Sequence, residues 1–318
     1  MPEIAVKVLR KKQEALDIAS FELARPDGSA LPAFSAGSHI DVQLPGGGSR
    51  QYSLCNDAGE RHRYRIAVLR DANSRGGSAA MHDAVKEGDT LLISEPRNHF
   101  PLVHGERALL FAGGIGVTPL LCMAQRLAAI GEDFTLHYCT RSPQRTAFRD
   151  EIAASAYAQR VRFHFDDGPP SQKLDLERTL GQPQPGTHIY VCGPTGFIDW
   201  VVRTAQALGW PQEQVHLEYF GAAPQDTGGD RAFQVKIASS GVVYDVSAGQ
   251  TVVHALQEHG IEILTSCEQG VCGTCITRVL QGECEHRDLY FTEEEKARHD
   301  QFTPCCSRAK SPVLVLDL

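Results

Sequence analysis

Three cysteines near the C-terminus stand at a spacing that suits an iron–sulfur cluster. They are Cys267, Cys272 and Cys275, in the run CEQGVCGTC, and Cys305 is available downstream as a fourth ligand. The C-x4-C-x2-C spacing is that of plant-type two-iron, two-sulfur sites. A structural zinc site is the alternative, but zinc usually takes paired C-x2-4-C knuckles, and the unequal spacing argues against it. The sequence therefore predicts a 2Fe-2S cluster on this loop.

The glycines of the same loop fit that chemistry. Gly270 and Gly273 lie between the cysteines. Because glycine has no Cβ, the backbone can approach the cluster closely at these positions. The same glycines leave backbone amides available to hydrogen-bond the sulfurs.

A glycine-rich turn offers a second kind of chemistry. Residues 107–112 are mainly apolar and lead into GGIGVTP at 113–119, and an apolar helix is predicted over 120–130. A strand, a glycine-rich turn and a helix can bring backbone amides against a pyrophosphate. Pro119 stands where the standard dinucleotide fingerprint has its third glycine, so the turn alone is weak evidence.

Further alternation of strands and helices follows this turn. We predict strands at 134–140, 161–165 and 188–192, and helices at 148–158, 174–180 and 197–208. Such alternation is typical of an open parallel sheet with helices on both faces. Ligands bind these sheets at the carboxyl ends of the strands, where the loops 113–118, 140–142 and 192–194 would lie together. Three polar or glycine-rich loops on one rim suit a dinucleotide.

The first hundred residues have a different pattern. Short runs that alternate apolar and polar residues, at 4–9, 40–44, 64–69 and 90–94, are separated by turn residues and predict an antiparallel barrel or sandwich. The strand RQYSL places Arg50 and Tyr52 on one face, with Ser53 beside them. Arg75 and two glycines precede a predicted helix at 79–86, whose N-terminus could hold a phosphate. An ordinary edge strand and an ordinary turn are the alternatives.

The remaining segments complete the organisation. Residues 221–230, GAAPQDTGGD, have the composition of a linker. Beyond it we predict a hairpin at 233–238 and 242–246, a helix over 251–258, the cysteine loop and a closing strand at 313–316. These elements form a small mixed α+β module.

Composition restricts the partners and the compartment. The chain has 318 residues, a net charge of -8 and ten cysteines. Acidic charge gives no reason to propose nucleic acid or an anionic membrane as partner. Neither a membrane span nor a signal peptide is apparent, so we expect a cytoplasmic protein with reduced cysteines.

At this point the chain resembles a known family over essentially its whole length. The motifs RQYSLCN, SRGGS, AGGIGVTP, VCGP, EYFG, CEQGVCGTC and CCSRAKSPVLVLDL occur in the order seen in the phthalate dioxygenase reductase and vanillate demethylase reductase family. These are single-chain reductase components of Rieske oxygenase systems. The resemblance implies an FMN-binding β-barrel domain (1–103), an NAD-binding α/β domain (104–223), a linker (224–231) and a ferredoxin domain with the β-grasp fold (232–318).

The resemblance also implies residue roles. In the flavin strand, Tyr52 would pack on the isoalloxazine and Ser53 would lie near its reactive nitrogen. Phe220 would cover the flavin face where nicotinamide stacks, and Thr118 would border both rings. The FMN-binding residues would be Arg50, Tyr52, Ser53, Gly76, Gly77, Ser78, Thr118 and Phe220. The NAD-binding residues would be Gly114, Gly116, Arg141, Ser142, Cys192, Gly193 and Pro194.

Some assignments keep an alternative. Arg141 and Ser142 could contact the adenosine ribose or cap a helix. For the fourth cluster ligand, Cys305 matches the family position and Cys306 fills a variable place. Among the catalytic residues we count Ser53, Thr118, Cys192 and Phe220.

The expected function is electron transfer from NADH through FMN and the 2Fe-2S cluster to a Rieske-type oxygenase, by a monomer. NADH is favoured over NADPH because no basic cluster for a 2′-phosphate is visible. A stand-alone flavin reductase with a small or different acceptor is the alternative enzyme. A non-enzymatic redox sensor is disfavoured because the chain has no recognisable output segment.

Overall fold

The computed structural model describes residues 3–71, 76–221 and 227–318. The chain forms two compact units, Met1–Phe220 and Gly221–Leu318. Arg75 of the predicted phosphate turn and Pro224 of the predicted linker lie outside the described residues. Over the three described ranges, no helix has the length and apolar character needed to cross a membrane.

An antiparallel barrel forms the first part of unit one. Its elements are β1 (Ile4–Ala15), β2 (Ile18–Ala24), β3 (Ser38–Gln43), β4 (Ser49–Ser53), β5 (Tyr64–Leu69), α1 (Gly77–Asp83), β6 (Thr90–Ile93) and β7 (Arg97–Asn98). The strand order is β4-β3-β6-β1-β2-β5, with β7 paired to β3. The amide of Cys55 donates to the Arg65 carbonyl at 2.8 Å, which joins the segment after β4 to β5 and closes the sheet. The predicted barrel is confirmed.

A parallel sheet with helices on both faces forms the second part. Its elements are β8 (Arg107–Gly113), α2 (Val117–Ile130), β9 (Asp133–Thr140), α3 (Arg149–Ala154), β10 (Val161–Phe165), α4 (Leu176–Leu180), β11 (Thr187–Gly193), α5 (Thr195–Ala207) and β12 (Val215–Tyr219). All strand pairs are parallel, in the order β10-β9-β8-β11-β12. Alternate residues of β8 enter different cores, Leu110 with α2 and Leu109 with α4 and α5. This confirms the predicted α/β fold.

The barrel and the parallel sheet share one hydrophobic core. On β2, Phe21 points into the barrel, whereas Ile18 packs in the same cluster as Leu121 of α2. An ion pair reinforces the join, since the Arg65 guanidinium bonds both carboxylate oxygens of Glu151 in α3 at 2.6 and 2.7 Å. Unit one is therefore a single packed body made of two sheets.

The second unit is a small mixed fold. Its elements are β13 (Phe233–Ile237), β14 (Val243–Val246), α6 (Val252–Gln257), β15 (Thr277–Gln281), β16 (Cys284–Glu285), α7 (Glu293–Lys296), β17 (Gln301–Phe302), β18 (Arg308–Ala309) and β19 (Val313–Leu316). The main sheet has the order β14-β13-β19-β15-β17, in which β13 and β19 are parallel and the other pairs antiparallel. Helix α6 packs Val252, Ala255 and Leu256 into the core of this sheet. The α+β prediction is confirmed.

Candidate functional site

The glycine-rich turn at 113–118 follows β8, the strand at which the strand order of the parallel sheet reverses. β8 is followed in sequence by β9 on one side of it, and β11 and β12 lie on the other side. A Cβ on Gly116 would stand 2.2 Å from the Cys192 carbonyl oxygen, and one on Gly193 would stand 2.9 Å from Gly113 Cα. Only glycine allows the two loops to approach this closely. Dinucleotides bind at such switch points.

The other residues predicted to bind NAD lie on the same edge of this sheet. Gly114 adopts a left-handed conformation with φ +55°, and Pro194 stands directly before α5. Arg141 and Ser142 follow β9, and Arg141 is exposed. Ser142 occupies the N-cap position of a short 3-10 turn, but its side chain makes no capping hydrogen bond there. The structure therefore gives no support to the helix-cap alternative.

Thr118 is a more deeply placed member of the predicted site. It is 2% exposed, and its hydroxyl donates to the Ile115 carbonyl at 3.1 Å. This hydrogen bond holds the turn as it enters α2. The predicted contact of Thr118 with flavin and nicotinamide stays a prediction.

The predicted flavin-binding strand and the predicted phosphate turn come together in unit one. A Cβ on Gly77 would stand 3.1 Å from Arg50 Nε, so the Arg50 side chain lies against the start of α1. Gly76 precedes that helix with φ +91°, and the Ser78 hydroxyl accepts a hydrogen bond from the Asp71 amide at 3.1 Å. An Arg guanidinium beside the N-terminus of a helix is a suitable arrangement for a phosphate.

The other face of β4, opposite Arg50 and Tyr52, carries polar groups that have no hydrogen-bond partner among the described residues. Ser53 is paired with His39 on β3, so their side chains share a face, and Gln51 lies two residues before Ser53 on the same face. His39 Nε2 and Gln51 Nε2 are buried and have no hydrogen-bond partner within the described structure. Buried polar groups are normally paired. These two orphaned groups fit a bound ligand rich in acceptors, such as a flavin ring, and the sequence analysis did not identify them.

Glu218 is a further candidate site residue, and it was not predicted from the sequence. The Ser53 hydroxyl donates to its Oε2 at 3.4 Å, and its position on β12 pairs with Cys192 on β11. Burial raises the pKa of Glu218 to about 8, although the Ser53 hydrogen bond acts in the opposite direction. The carboxyl group can therefore hold or release a proton near neutral pH. An acidic residue two positions before Phe220, at the end of a strand, was the available signal.

Two predicted site residues lie close to Glu218 in the fold: Cys192 pairs with it across the sheet, and Phe220 follows it by two positions in the chain. Cys192 is fully buried, and burial raises the pKa of its thiol well above the ordinary value. Its side chain is thus a neutral packing group in this structure, and its carbonyl faces Gly116. Phe220 follows β12 and is 41% exposed, so its ring is accessible. Tyr52 is half-buried against the barrel core, and burial raises its pKa to about 12.

The four predicted cluster cysteines converge in the second unit. The Cys267 thiol contacts those of Cys272 and Cys305, and the Cys305 thiol also contacts Cys275. Cys272, Cys275 and Cys305 are each at least nine-tenths buried. Four thiols brought together from one loop and one downstream position form the donor set that a 2Fe-2S cluster requires.

Backbone amides and glycines support this donor set. The amide of Gln269 donates to Cys267 Sγ at 3.4 Å, and the amide of Thr274 donates to Cys272 Sγ at 3.4 Å. Gly270 and Gly273 adopt left-handed conformations with φ +72° and +70°. A Cβ on Gly273 would stand 2.4 Å from the Tyr290 ring. The loop therefore needs glycine for its conformation and for its packing.

Cys306 is held differently from Cys305. Its sulfur lies 3.2 Å from the Thr303 hydroxyl and 3.8 Å from the Ser307 hydroxyl. A Cβ on Gly270 would stand 2.4 Å from the same sulfur, so Cys306 packs beneath the loop. This geometry favours Cys305 as the ligand, and the assignment stays a prediction.

The chain is similar to known proteins over most of its length. Residues 235–310 match the 2Fe-2S iron-sulfur cluster binding domain family, and residues 97–215 match the N-terminal domain of dimethylamine monooxygenase subunit DmmA-like proteins. The vanillate O-demethylase oxidoreductase of Pseudomonas putida is 56% identical over 313 residues, which cover 98% of each chain. A solved phthalate dioxygenase reductase structure has 41% identity and a TM-score of 0.79, covering 99% of this chain and 98% of that one.

A second solved structure, of a self-sufficient cytochrome P450 monooxygenase, has a TM-score of 0.85 and 38% identity. It covers 99% of this chain but 41% of the P450 chain.

The fold and the three sites thus define a flavin- and nicotinamide-dependent iron–sulfur oxidoreductase. The chain belongs to the family of the vanillate O-demethylase oxidoreductases and phthalate dioxygenase reductases.

Proposed function

We propose that this protein carries electrons from NADH, through FMN and the 2Fe-2S cluster, to a Rieske-type oxygenase that demethylates an aromatic acid. The observation that carries the proposal is the 56% identity to a vanillate O-demethylase oxidoreductase over almost the full length of both chains. A flavin supplies the exchange between two-electron and one-electron transfer when it is bound. We further propose that the protein acts as a cytoplasmic monomer.

The residues around the glycine turn have positioning roles in this proposal. Gly116 and Gly193 let the two loops that would border the nicotinamide pack against each other, and Phe220 is accessible enough to give way to the nicotinamide. Ser53 and Glu218 hold a proton beside the predicted flavin ring. This arrangement needs no separate acid–base triad, because hydride transfer depends mainly on orientation and electrostatics.

The choice of NADH has support at the edge of the sheet. The amides of Asp166 and Asp167 donate to the carbonyls of Thr140 and Arg141 at 3.0 and 3.1 Å. The backbones of two acidic residues therefore lie next to the loop predicted to contact the ribose, and carboxylates in this segment would repel a 2′-phosphate and suit a 2′-hydroxyl.

Cluster potentials give the direction of electron flow. Plant-type clusters lie at about −400 mV, and Rieske centres lie at about −150 mV or higher. A gap of about 250 mV corresponds to roughly four decades in the equilibrium constant, at ~59 mV per decade for one electron. Transfer to a Rieske acceptor is therefore strongly favourable.

Reconstitution tests the proposal. The purified protein, with NADH and a vanillate-type oxygenase component, should support formaldehyde release from vanillate, and a phthalate-type oxygenase should support less turnover. The Cys272→Ser variant should lose reduction of the oxygenase and of cytochrome c but keep NADH-dependent ferricyanide reduction. Cys122→Ala replaces a buried cysteine in α2 that is not a predicted cluster ligand. It is the control and should keep all three activities. Equal loss of all three in Cys272→Ser would contradict the linear path.

Two further measurements address the cofactors and the assembly. Flavin released by heat should chromatograph as FMN, and FAD would contradict that assignment. Size-exclusion chromatography with light scattering should give the mass of one chain, 34.7 kDa.

A further inference from the structure

Three side chains that commonly bind metals meet in the second unit, and none is a predicted cluster ligand. Cys284 begins β16, His286 follows two residues later, and His299 precedes β17. One donor atom from each lies within 4.8 Å of the others: the cysteine sulfur and one nitrogen of each imidazole. Because the two histidines are thirteen positions apart in the numbered sequence, the fold alone brings them together.

His286 has the tautomer that a metal ligand needs. Its Nδ1 lies 3.1 Å from Asp288 Oδ1, and that carboxylate also accepts hydrogen bonds from the Ser307 hydroxyl and the Phe291 amide. Nδ1 is therefore the protonated nitrogen, and Nε2 carries a bare lone pair. A carboxylate that orients an imidazole in this way is usual behind a metal-bound histidine.

Nε2 of His286, the nitrogen with the bare lone pair, makes no hydrogen bond within the described structure. The side chain is 5% exposed, and Nε2 is buried without a hydrogen-bond partner among the described residues. A buried acceptor left unpaired is costly and uncommon. It therefore supports a ligand-binding role for this nitrogen independently of the converging donors.

Cys284 and His299 complete the donor set. Cys284 is fully buried, and its amide donates to His299 Nδ1 at 3.2 Å, which fixes the ring beside the cysteine. His299 has φ +52°, a left-handed conformation that is unfavourable for a residue other than glycine. His299 is also half-buried, so it gives an ion a route from solvent.

We propose that Cys284, His286 and His299 bind one Zn²⁺ ion, with a water molecule as fourth ligand. Thiolate and imidazole donors suit zinc, with Zn–S and Zn–N bonds of about 2.3 and about 2.0–2.1 Å. In a tetrahedral site the three donor atoms would lie about 3.3–3.6 Å from one another. They now lie within 4.8 Å of one another, so zinc binding would draw them together by roughly one ångström. On binding, the Cys284 thiol loses its proton to solvent, and His299 gives up the hydrogen bond from the Cys284 amide as its ring presents a bare nitrogen to the ion.

The ion would have a structural role. It would tie β16 to the segment before β17. Among the described contacts between Cys284 and His299, these two parts of the chain are joined by one hydrogen bond from the Cys284 amide to the His299 ring. The Cys284 sulfur also makes a weak contact of 3.9 Å with the His299 carbonyl. This site does not depend on the identity of the electron acceptor.

Metal analysis of the holoprotein tests the site. The protein, with flavin and cluster in place, is dialysed against a chelator, equilibrated with Zn²⁺ alone, and assayed for zinc and iron by mass spectrometry. Wild type should bind one zinc per chain without losing iron. Cys284→Ser and His299→Gln should each weaken zinc binding at least tenfold. His254→Gln, an exposed histidine beside Glu258 in the same unit, is the control and should bind like wild type.

Three results would overturn the proposal. They are no zinc bound by wild type, zinc bound equally by wild type and both site variants, or zinc bound only as iron is lost. Iron content and the visible spectrum report whether each variant is folded. If Cys284→Ser loses its cluster, His299→Gln decides the outcome, because a half-buried side chain is changed there without altering a cysteine.

Discussion

Replacing Glu218 with glutamine should remove a pH dependence near pH 8 from flavin reduction by NADH. Burial raises the pKa of the Glu218 carboxyl group to about 8, and Ser53 is its hydrogen-bond partner at 3.4 Å. Hydride transfer brings negative charge next to this position. A neutral carboxyl group tolerates that charge, whereas an ionised carboxylate opposes it.

The expected size of the effect follows from the pKa. One pH unit below a pKa the neutral form predominates by about ten to one, and one unit above it the ionised form does so by the same factor. If the neutral form is the active one, the wild-type rate should fall by roughly tenfold between pH 7 and pH 9. Glutamine is always neutral and keeps an acceptor oxygen for Ser53, so the Glu218→Gln rate should change little.

Stopped-flow measurement of the flavin absorbance after mixing with NADH follows this step alone. Glu213→Gln, an exposed glutamate in the turn before β12, is the matched control and should keep the wild-type profile. The reasoning is refuted if Glu218→Gln shows the same midpoint as wild type, or if the wild-type rate is constant over this range.

Three other predictions test the fold and the cluster ligands. Gly116→Ala should lower the free energy of unfolding by more than about 3 kcal/mol and abolish NADH binding, because the new Cβ would meet a carbonyl oxygen at 2.2 Å. Gly196 has open space around it, so the control variant Gly196→Ala should stay within about 1 kcal/mol of wild type in urea unfolding. Burial lowers the pKa of His137 from 6.5 to about 3, so the unfolded chain takes up a proton first as pH falls below about 6.5. Stability should then decrease with acidification, by at most about 1.4 kcal/mol per pH unit for this group, and His137→Gln should reduce that slope. Cys305→Ser should lose iron and the cluster absorption, whereas Cys306→Ser should keep both; the opposite result would exchange the two assignments.

Most elements of the fold are predictable from the sequence because they follow a simple period. β5 and β10 have the predicted bounds, and α2 begins three residues before its predicted start. β2, Ile18–Ala24, was not predicted, because both of its faces are buried and its sequence does not alternate: one face lines the barrel and the other packs on α2. The two-residue strand β16 is too short to show any pattern.

The site was predictable where chemistry depends on local spacing. Cys267, Cys272 and Cys275 share one loop, and the glycines near Gly116 share one turn. Glu218 was missed because its significance comes from Ser53, 165 positions away in sequence, and from the burial that raises its pKa. The convergence of Cys284 with two histidines likewise depends on contacts that no short window contains.

The core shared between the barrel and the parallel sheet limits how the protein can be recombined. A fragment that ends near residue 103 would expose Ile18 and Ala67 where α2 now covers them, and would leave Arg65 without Glu151. Exposed apolar surface of this kind favours aggregation. Domain exchange between related reductases should therefore transfer residues 3–220 as one piece, so that a chimaera inherits its flavin and nicotinamide preferences together.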